Sequence, residues 1–147
     1  MDSFKLDNFV AANPGTLLPI RSCQEKDVAG VRERLAAALK IADCSDGRGI
    51  AEAILRAETV VSDVSALKPG FDFGEVVRTL VDVQPEDAVL LNWHHFEQLD
   101  RIRFADLARY FEDIWYPAVD DLDVLSEDTR WVVSISHFGT IGVAKLA

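Results

Sequence analysis

The fold class is decided by the last stretch of the sequence, which reads Trp131-Val-Val-Ser-Ile-Ser-His-Phe-Gly-Thr-Ile-Gly-Val-Ala-Lys-Leu146. Its first half alternates, which places four side chains on one face of a strand: Trp131, Val133, Ile135 and His137. Phe138-Gly139 then reverses the chain, and residues 140–146 return as a second strand. The stretch therefore predicts a C-terminal β-hairpin. Phe is a poor first residue for a two-residue turn, so a longer loop or a bulge around Gly139 is an equal alternative.

The segments before this hairpin supply a helix and two further strands. Six apolar residues recur at helical spacing and predict an amphipathic helix that ends before Pro117: Phe104, Leu107, Ala108, Phe111, Ile114 and Trp115. Residues 88–93 form an apolar run of strand length after the turn at 84–87, and residues 121–125 predict another strand.

The first half of the sequence is helical in pattern. Residues 4–12 predict a short helix that ends at Asn13-Pro14-Gly15. Apolar residues at helical spacing then predict two antiparallel helices, at about 24–43 and 48–66. Ser22 and Glu25 have the spacing of a capping box for the first of them, and Ser45 or Asp46 is the expected cap of the second.

Residues 72–83 fit either a helix or a strand. Asp72 and Glu75 have capping-box spacing, which favours a helix, whereas the many β-branched residues favour a strand. The helix is the preferred interpretation. The whole pattern predicts one α+β domain over residues 1–147, in which a helical N-terminal half packs on a small antiparallel sheet that ends in the hairpin.

The charge of the chain is concentrated in one segment. The 147 residues carry a formal charge of −10, and residues 82–128 hold 13 acidic and 3 basic residues, which accounts for all of it. Nucleic acid and anionic membranes are therefore not expected as partners, because both require clustered Lys and Arg. A basic protein partner or a divalent cation is favoured, and simple solubility is the plain alternative.

The sequence also indicates a cellular compartment. It contains no apolar run approaching the roughly 20 residues of a membrane span, and its first residues lack the pattern of a signal peptide. Cys23 and Cys44 are too few for a disulfide scaffold. We therefore expect a cytoplasmic protein.

The acidic segment contains the candidate binding residues. Asp121 and Asp123 share a face if 121–125 is a strand, and Tyr116 ends the preceding helix as an aromatic anchor next to these carboxylates. The expected contact surface for a basic protein consists of Asp113, Tyr116, Asp120, Asp121, Asp123 and Glu127. The alternatives are a solvated acidic edge and, less favoured, a site for a hard cation.

A second hypothesis is a metal-binding protein or a hydrolase. It would use His94, His95 or His137 together with Asp120 and Asp121. Adjacent histidines in a strand point to opposite sides, and no metal-binding motif surrounds these three. No nucleophile elbow, protease signature or phosphate-binding loop is present, so the sequence names no catalytic residue and calls for no cofactor.

A third hypothesis is a subunit of a homo-oligomer. Residues 140–146 would be its contact, because the last strand of the hairpin is expected to leave an exposed edge.

Several tracts of the second half resemble a group of small stand-alone bacterial proteins, of the kind found as immunity partners in polymorphic toxin systems. The tracts are Leu91-Asn92-Trp93, Tyr110-Phe-Glu-Asp-Ile-Trp-Tyr-Pro117, Asp120-Asp121, Trp131 and Ser134-Ile-Ser-His-Phe-Gly139. The resemblance covers about residues 88–146 and implies a non-enzymatic protein that neutralises a basic partner through its acidic surface. It assigns no role to any single residue.

Overall fold

The computed structural model describes residues 1–146 as a seven-stranded antiparallel sheet with helices on both faces. The helices are α1 (Ser3–Ala12), α2 (Glu25–Leu39), α3 (Gly47–Ala57), α4 (Phe73–Leu80), α5 (Phe104–Arg109) and α6 (Phe111–Ile114). The strands are β1 (Arg21–Ser22), β2 (Thr59–Ser65), β3 (Ala88–Asn92), β4 (Leu99–Arg103), β5 (Leu122–Ser126), β6 (Trp131–Ile135) and β7 (Thr140–Lys145). Their order in the sheet is β1-β4-β3-β5-β6-β7-β2. The predicted α+β class and the C-terminal hairpin, β6–β7, are confirmed.

Alternation along the central strands divides the core into two parts. Leu91 and Val133 lie on the face that packs against α4, α5 and α6. Leu90 and Val132 lie on the opposite face, under α2 and α3. The sheet is therefore buried on both sides, and it is larger than the small sheet that the sequence predicted.

The third helix is shorter than predicted. The segment 48–66 divides at Glu58, whose backbone is extended, and residues after it form β2 instead of a continued helix. Val60 and Val61 are β-branched and favour a strand. Pairing of β2 with β7 supplies the backbone hydrogen bonds that the helix would have made, so tertiary pairing overrides the helical spacing of this segment.

β4 was not predicted from the sequence, because charged residues interrupt its apolar pattern. One of these, Asp100, is buried, and it forms an ion pair with the amino group of Met1 and accepts a hydrogen bond from Trp93 Nε1 at 3.1 Å. These contacts satisfy a carboxylate that would otherwise be costly to bury.

The prediction that residues 140–146 leave an exposed edge of the sheet is wrong. Residues 140–145 pair with β6 on one side and with β2 on the other, so β7 has no free edge. β2 is the edge strand at this end of the sheet.

The capping box predicted from Ser22 and Glu25 is absent. Gln24 occupies the N-cap of α2 without a side-chain hydrogen bond. Ser22 lies in β1 instead, where pairing with β4 places it opposite Asp100, and its Oγ donates to that carboxylate at 3.2 Å.

The caps predicted for the next two helices are confirmed. Asp46 accepts from the amide of Gly49 at 3.1 Å, and Asp72 accepts from the amide of Glu75 at 2.9 Å. The segment 72–83 therefore contains a helix, α4, and the preferred helical interpretation is confirmed. The predicted helix over 104–115 is also present, although it divides into α5 and α6 at Tyr110.

The two strands of the hairpin are joined by a loop longer than a two-residue turn. Ile135 pairs with Ile141, and the loop between them places Gly139 at φ 83°, where glycine meets little steric resistance. Among residues 1–146, no helix is both long and apolar enough to cross a bilayer.

Candidate functional site

A row of three polar residues and one glycine crosses four neighbouring strands on the face that α2 and α3 cover. Asn92 lies opposite Asp123, Asp123 lies opposite Ser134, and Ser134 lies opposite Gly142. We call these four residues the polar row. The adjacent row of the same face is apolar and buried under the helices. The polar row therefore marks the place where the helical cover of the sheet ends.

Hydrogen bonds connect the polar row from strand to strand. Asp123 accepts from Asn92 Nδ2 at 2.8 Å on one oxygen and from Ser134 Oγ at 2.8 Å on the other. The amide oxygen of Asn92 accepts from the backbone amide of Phe96 at 2.8 Å. This last bond joins the polar row to the loop between β3 and β4.

That loop has a strained backbone. His95 and Phe96 have backbone φ values of 47° and 59°, which residues other than glycine rarely adopt. The buried ring of Phe96 and the hydrogen bond from its amide to Asn92 hold the conformation. Backbone strain of this kind concentrates at functional sites, where contacts with the surrounding structure stabilise it.

Glu58 lies over the polar row at the end of α3. A Cβ atom added to Gly142 would lie 2.6 Å from the carboxyl group of Glu58, so the glycine leaves the room that this side chain occupies. Glu58 is the C-cap residue of α3, and the extended backbone there turns the chain from the helix into β2.

Together these residues line a cleft of about 420 Å³. Its floor is the polar row together with Asp121, Ser136 and Thr140 of the neighbouring strand ends. Its walls are the last turns of α3, with Ile54, Leu55 and Glu58, and the β3–β4 loop, with Trp93 and His95. The cleft thus combines polar acceptors at its base with apolar side chains on its walls.

Two carboxyl groups of the cleft bind their protons more tightly than usual. Burial raises the pKa of Glu58, the neighbouring Asp123 charge raises it further, and contact with Ser134 lowers it in part. Burial likewise raises the pKa of Asp123, although hydrogen bonds from Asn92 and Ser134 oppose the shift. In each case desolvation of the charged form is the largest cause.

The structure brings only two of the six predicted binding residues into this cleft, namely Asp121 and Asp123. Asp121 is exposed, and it accepts from both the amide and the ring Nδ1 of His137 at 2.8 Å. Asp123 is enclosed by the polar row, so its carboxylate faces the cleft and not the open surface.

Asp120 has an internal role. It forms an ion pair with Lys5, and the two side chains are only 11% and 2% exposed. It also accepts from the amide of Tyr116 at 2.7 Å. The Nζ of Lys5 donates in addition to the carbonyl of Ile114 at 2.9 Å, so this pair holds α1 against the segment after α6.

The other three predicted residues lie outside the cleft. The half-buried ring of Tyr116 has Lys5 Nζ at 4.8 Å from its centroid, and its hydroxyl accepts from Asn8 at 3.2 Å. Asp113 is half-buried on α6. Glu127 forms an exposed ion pair with Arg101 at 2.6 Å.

The histidines do not form a common centre. His95 lines the cleft, His137 contacts Asp121 beside it, and His94 lines a separate cavity near the N-terminus. Among residues 1–146, no three His, Cys, Asp or Glu side chains are arranged to hold a metal ion. The metal and hydrolase hypotheses gain no specific support from this geometry.

Next to the cleft, three loops expose apolar side chains at one end of the sheet. Ala66 donates to the carbonyl of Gly139 at 2.8 Å, and Ala118 donates to the carbonyl of His137 at 2.9 Å, so the turn of the hairpin lies between the other two loops. The exposed side chains are Phe138 (72%), Val119 (69%) and Leu67 (52%). We call these three residues the apolar end.

Three residues of the cleft were not predicted as site residues: Glu58, Asn92 and Ser134. Glu58 was assigned to the middle of a helix, and its position over the sheet depends on the change to β2. Ser134 did carry a signal, because a hydroxyl interrupts the apolar run of β6, and Gly142 carried a second, because a glycine inside a strand often marks the close approach of another group.

No protein-family model, curated protein or solved structure matches the chain, so the resemblance to immunity partners stays a prediction.

Proposed function

We propose that this chain is a non-enzymatic binding protein for a basic protein partner, acting in the cytoplasm as an immunity-type neutraliser. The observation that carries the proposal is the apolar end, where Phe138, Val119 and Leu67 are exposed on three loops that backbone hydrogen bonds join. Large exposed apolar residues grouped in this way are typical of interaction sites, whereas isolated ones are common on any surface.

Acidic groups border the apolar end and select the charge of the partner. Asp121 lies on one side through its contact with His137, whose ring centroid is 4.0 Å from that of Phe138. Glu112 lines a cavity together with Leu67 and Lys68, and the Lys68 ammonium group donates to the carbonyl of Asp63 at 3.2 Å. An apolar centre with a charged rim is the usual composition of a protein interface, and carboxylates at the rim favour a partner with basic residues.

The same charges disfavour a second copy of this chain as the occupant. Two copies facing each other through the apolar end would bring Asp121 and Glu112 of each molecule together, and the net charge of −10 would add repulsion at longer range. A basic partner converts these interactions into attractions.

Substitution of Phe138 tests the proposal. Tagged protein would be used to capture partners from the native host, the retained proteins would be identified by mass spectrometry, and binding would be repeated with the purified partner. We expect one basic protein to be retained, and we expect Phe138→Ser to weaken its binding by about tenfold or more, because a central aromatic contact is lost.

Leu17→Ser is the matched control, since Leu17 is 80% exposed and lies before β1, away from the apolar end. Capture of an acidic partner, or equal loss of binding in both variants, would contradict the proposal. If the partner is a toxin domain, co-expression of the wild-type chain should restore growth and co-expression of Phe138→Ser should not.

A further inference from the structure

The two carboxyl groups of the cleft have no cation beside them, in contrast to three other shielded carboxylates of the chain. Asp120 is paired with Lys5, Asp100 with the amino group of Met1, and Asp106 with Arg103. Glu58 and Asp123 have no such partner: within residues 1–146, no Lys, Arg, His or terminal amino nitrogen lies within 4 Å of either carboxylate. The charge of His95 on the cleft wall lowers the pKa of Asp123 in part, and the charge of Asp121 raises it, but neither forms an ion pair with it.

This arrangement costs stability in the free protein. Both carboxyl groups are desolvated, and they lie close enough that the charge of Asp123 acts on Glu58. A positive group bound in the cleft would compensate both effects, because it would neutralise the pair in a place where water screens charges poorly. A preformed cleft with apolar walls and a few polar groups at its base has the features of a binding site.

The shape of the cleft indicates which cation fits. Its acceptors come from neighbouring strands and from the end of α3, so a cation that donates in several directions at once can reach more of them. A guanidinium group has five N–H donors in one plane, whereas an ammonium group concentrates three donors at one atom. The apolar walls, Ile54, Leu55 and Trp93, suit the methylene chain of an arginine.

A metal ion fits this cleft less well. Hard divalent ions require several oxygen ligands that converge to about 2.0–2.6 Å. Among the described residues 1–146, no three acidic, histidine or cysteine side chains converge in that way.

The cleft is continuous with the apolar end. Asp121 lines the cleft and also contacts His137, which lies directly against Phe138. A protein bound to the apolar end would therefore have its neighbouring side chains at the mouth of the cleft.

We propose that the cleft between α3 and the β3–β4 loop receives an arginine side chain of the basic partner, with its guanidinium group between Glu58 and Asp123. This inference rests on the proposed function for the source of the arginine. The chemistry of the cleft can nevertheless be tested without any partner.

The test is a titration of isotope-labelled protein followed by NMR, with N-acetyl-arginine methylamide as the probe. We expect saturable shifts of the Trp93 indole and of the Leu55 methyl groups, with an affinity in the millimolar range because one side chain alone makes few contacts. The citrulline analogue has the same shape without the charge, and we expect it to cause no such shifts.

Glu58→Gln is the deciding variant, and Glu52→Gln is its charge-matched control. Glu52 lies on the same helix but is exposed and outside the cleft. We expect the first variant to weaken probe binding by about tenfold and the second to leave it unchanged, since only the first removes a charged hydrogen-bond acceptor of the site. Ser134→Ala provides a second cleft variant with no change in net charge.

Three results would overturn the inference: equal shifts with arginine and citrulline, shifts that map outside the cleft, or equal weakening by both glutamate variants. Tighter binding of the corresponding lysine probe would overturn the choice of guanidinium.

The two proposals can fail separately. Retention of a basic partner that is lost in Phe138→Ser, without probe binding in the cleft, would leave the proposed function in place and overturn the arginine site. Probe binding without any basic partner would overturn the partner as the source of the arginine.

Discussion

Glu58 and Asp123 illustrate how one position in a fold can alter the chemistry of an ordinary carboxyl group. Neither residue belongs to a motif, and each acquires its raised pKa mainly from burial, to which a neighbouring carboxylate adds: Asp123 for Glu58, and Asp121 for Asp123. Asp120 is also acidic and shielded, but Lys5 lies beside it and the pair holds α1 in place. The neighbours of a carboxylate, more than its residue type, therefore decide whether it serves structure or binding.

The raised pKa of Glu58 leads to a prediction at the residue scale. A carboxyl group whose pKa is higher in the folded than in the unfolded state favours folding while it is protonated, and this contribution is lost as the pH rises through the folded-state pKa. A glutamine at position 58 cannot ionise, so Glu58→Gln does not lose this stability as the pH rises. We therefore expect the variant to gain stability relative to wild type as the pH rises from about 4 to about 8.

The gain should be on the order of 0.5 kcal/mol, because Glu58 is only partly buried and solvent screens its charge. Urea unfolding at several pH values measures it, and Glu52→Gln corrects for the change in net charge. A constant or declining difference with rising pH would show that the folded state does not raise the pKa of Glu58.

At the scale of elements, the end of α3 and the β3–β4 loop form the walls of the cleft, and each depends on the other. α3 begins at Gly47, directly against the backbone carbonyl of His95, and a Cβ atom at this position would overlap that oxygen. The loop is held in turn by the polar row through Asn92. Helix, loop and sheet therefore position one another at the cleft.

Two glycine substitutions test this dependence. Gly47→Ala should destabilise the protein by about 1–3 kcal/mol, because the backbone of the β3–β4 loop must move to make room. Gly30→Ala is the matched control inside α2, where the nearest atom to an added Cβ is a flexible Arg34 side chain at 3.5 Å. It should stabilise the protein by about 0.5–1 kcal/mol, since alanine favours a helix interior.

Thermal or urea unfolding measures both variants. NMR shifts of His95 and Trp93 in Gly47→Ala would show whether the wall of the cleft moves. Equal effects of the two substitutions would indicate that the contact between Gly47 and His95 is not tight.

At the scale of the whole molecule, the distribution of charge and the edges of the sheet decide which contacts are available. β2 is an edge strand, but its register with β7 is interrupted between Val60 and Ser65, and Asp63 has φ 63°. Irregularity of this kind makes an edge a poor template for another strand. Contacts through the loops at the end of the sheet are therefore favoured over strand pairing.

The net charge of −10 predicts how association with a basic partner depends on salt. We expect the association rate to fall by about tenfold or more between roughly 50 and 500 mM salt, because screening removes long-range attraction. The dissociation rate should change less, since it reflects short-range contacts. Surface plasmon resonance with the purified partner measures both rates, and an association rate independent of salt would rule out electrostatic steering.

Much of the fold was predictable because it depends on patterns that are local in sequence. The hairpin, α1, α4 and the strand at 121–125 follow from periodicity and from turn residues, which act over a few positions. β2 was not predictable in this way, because its helical spacing competes with a pairing to β7 that lies some 80 residues away. β4 escaped notice because the cost of burying Asp100 is met by groups distant in sequence.

The sequence by itself determined the α+β class, the C-terminal hairpin and the concentration of negative charge, since each of these depends on residue type and short spacing. Only the tertiary structure decided which carboxylates are paired and which are not. Lys5 reaches Asp120 across 115 residues, whereas Glu58 lies over Gly142, close enough for the charge of Asp123 to act on it, and neither carboxylate forms an ion pair. The physical reason is that charge compensation depends on distances in space, and these are fixed only when α1, α3 and the sheet have packed together.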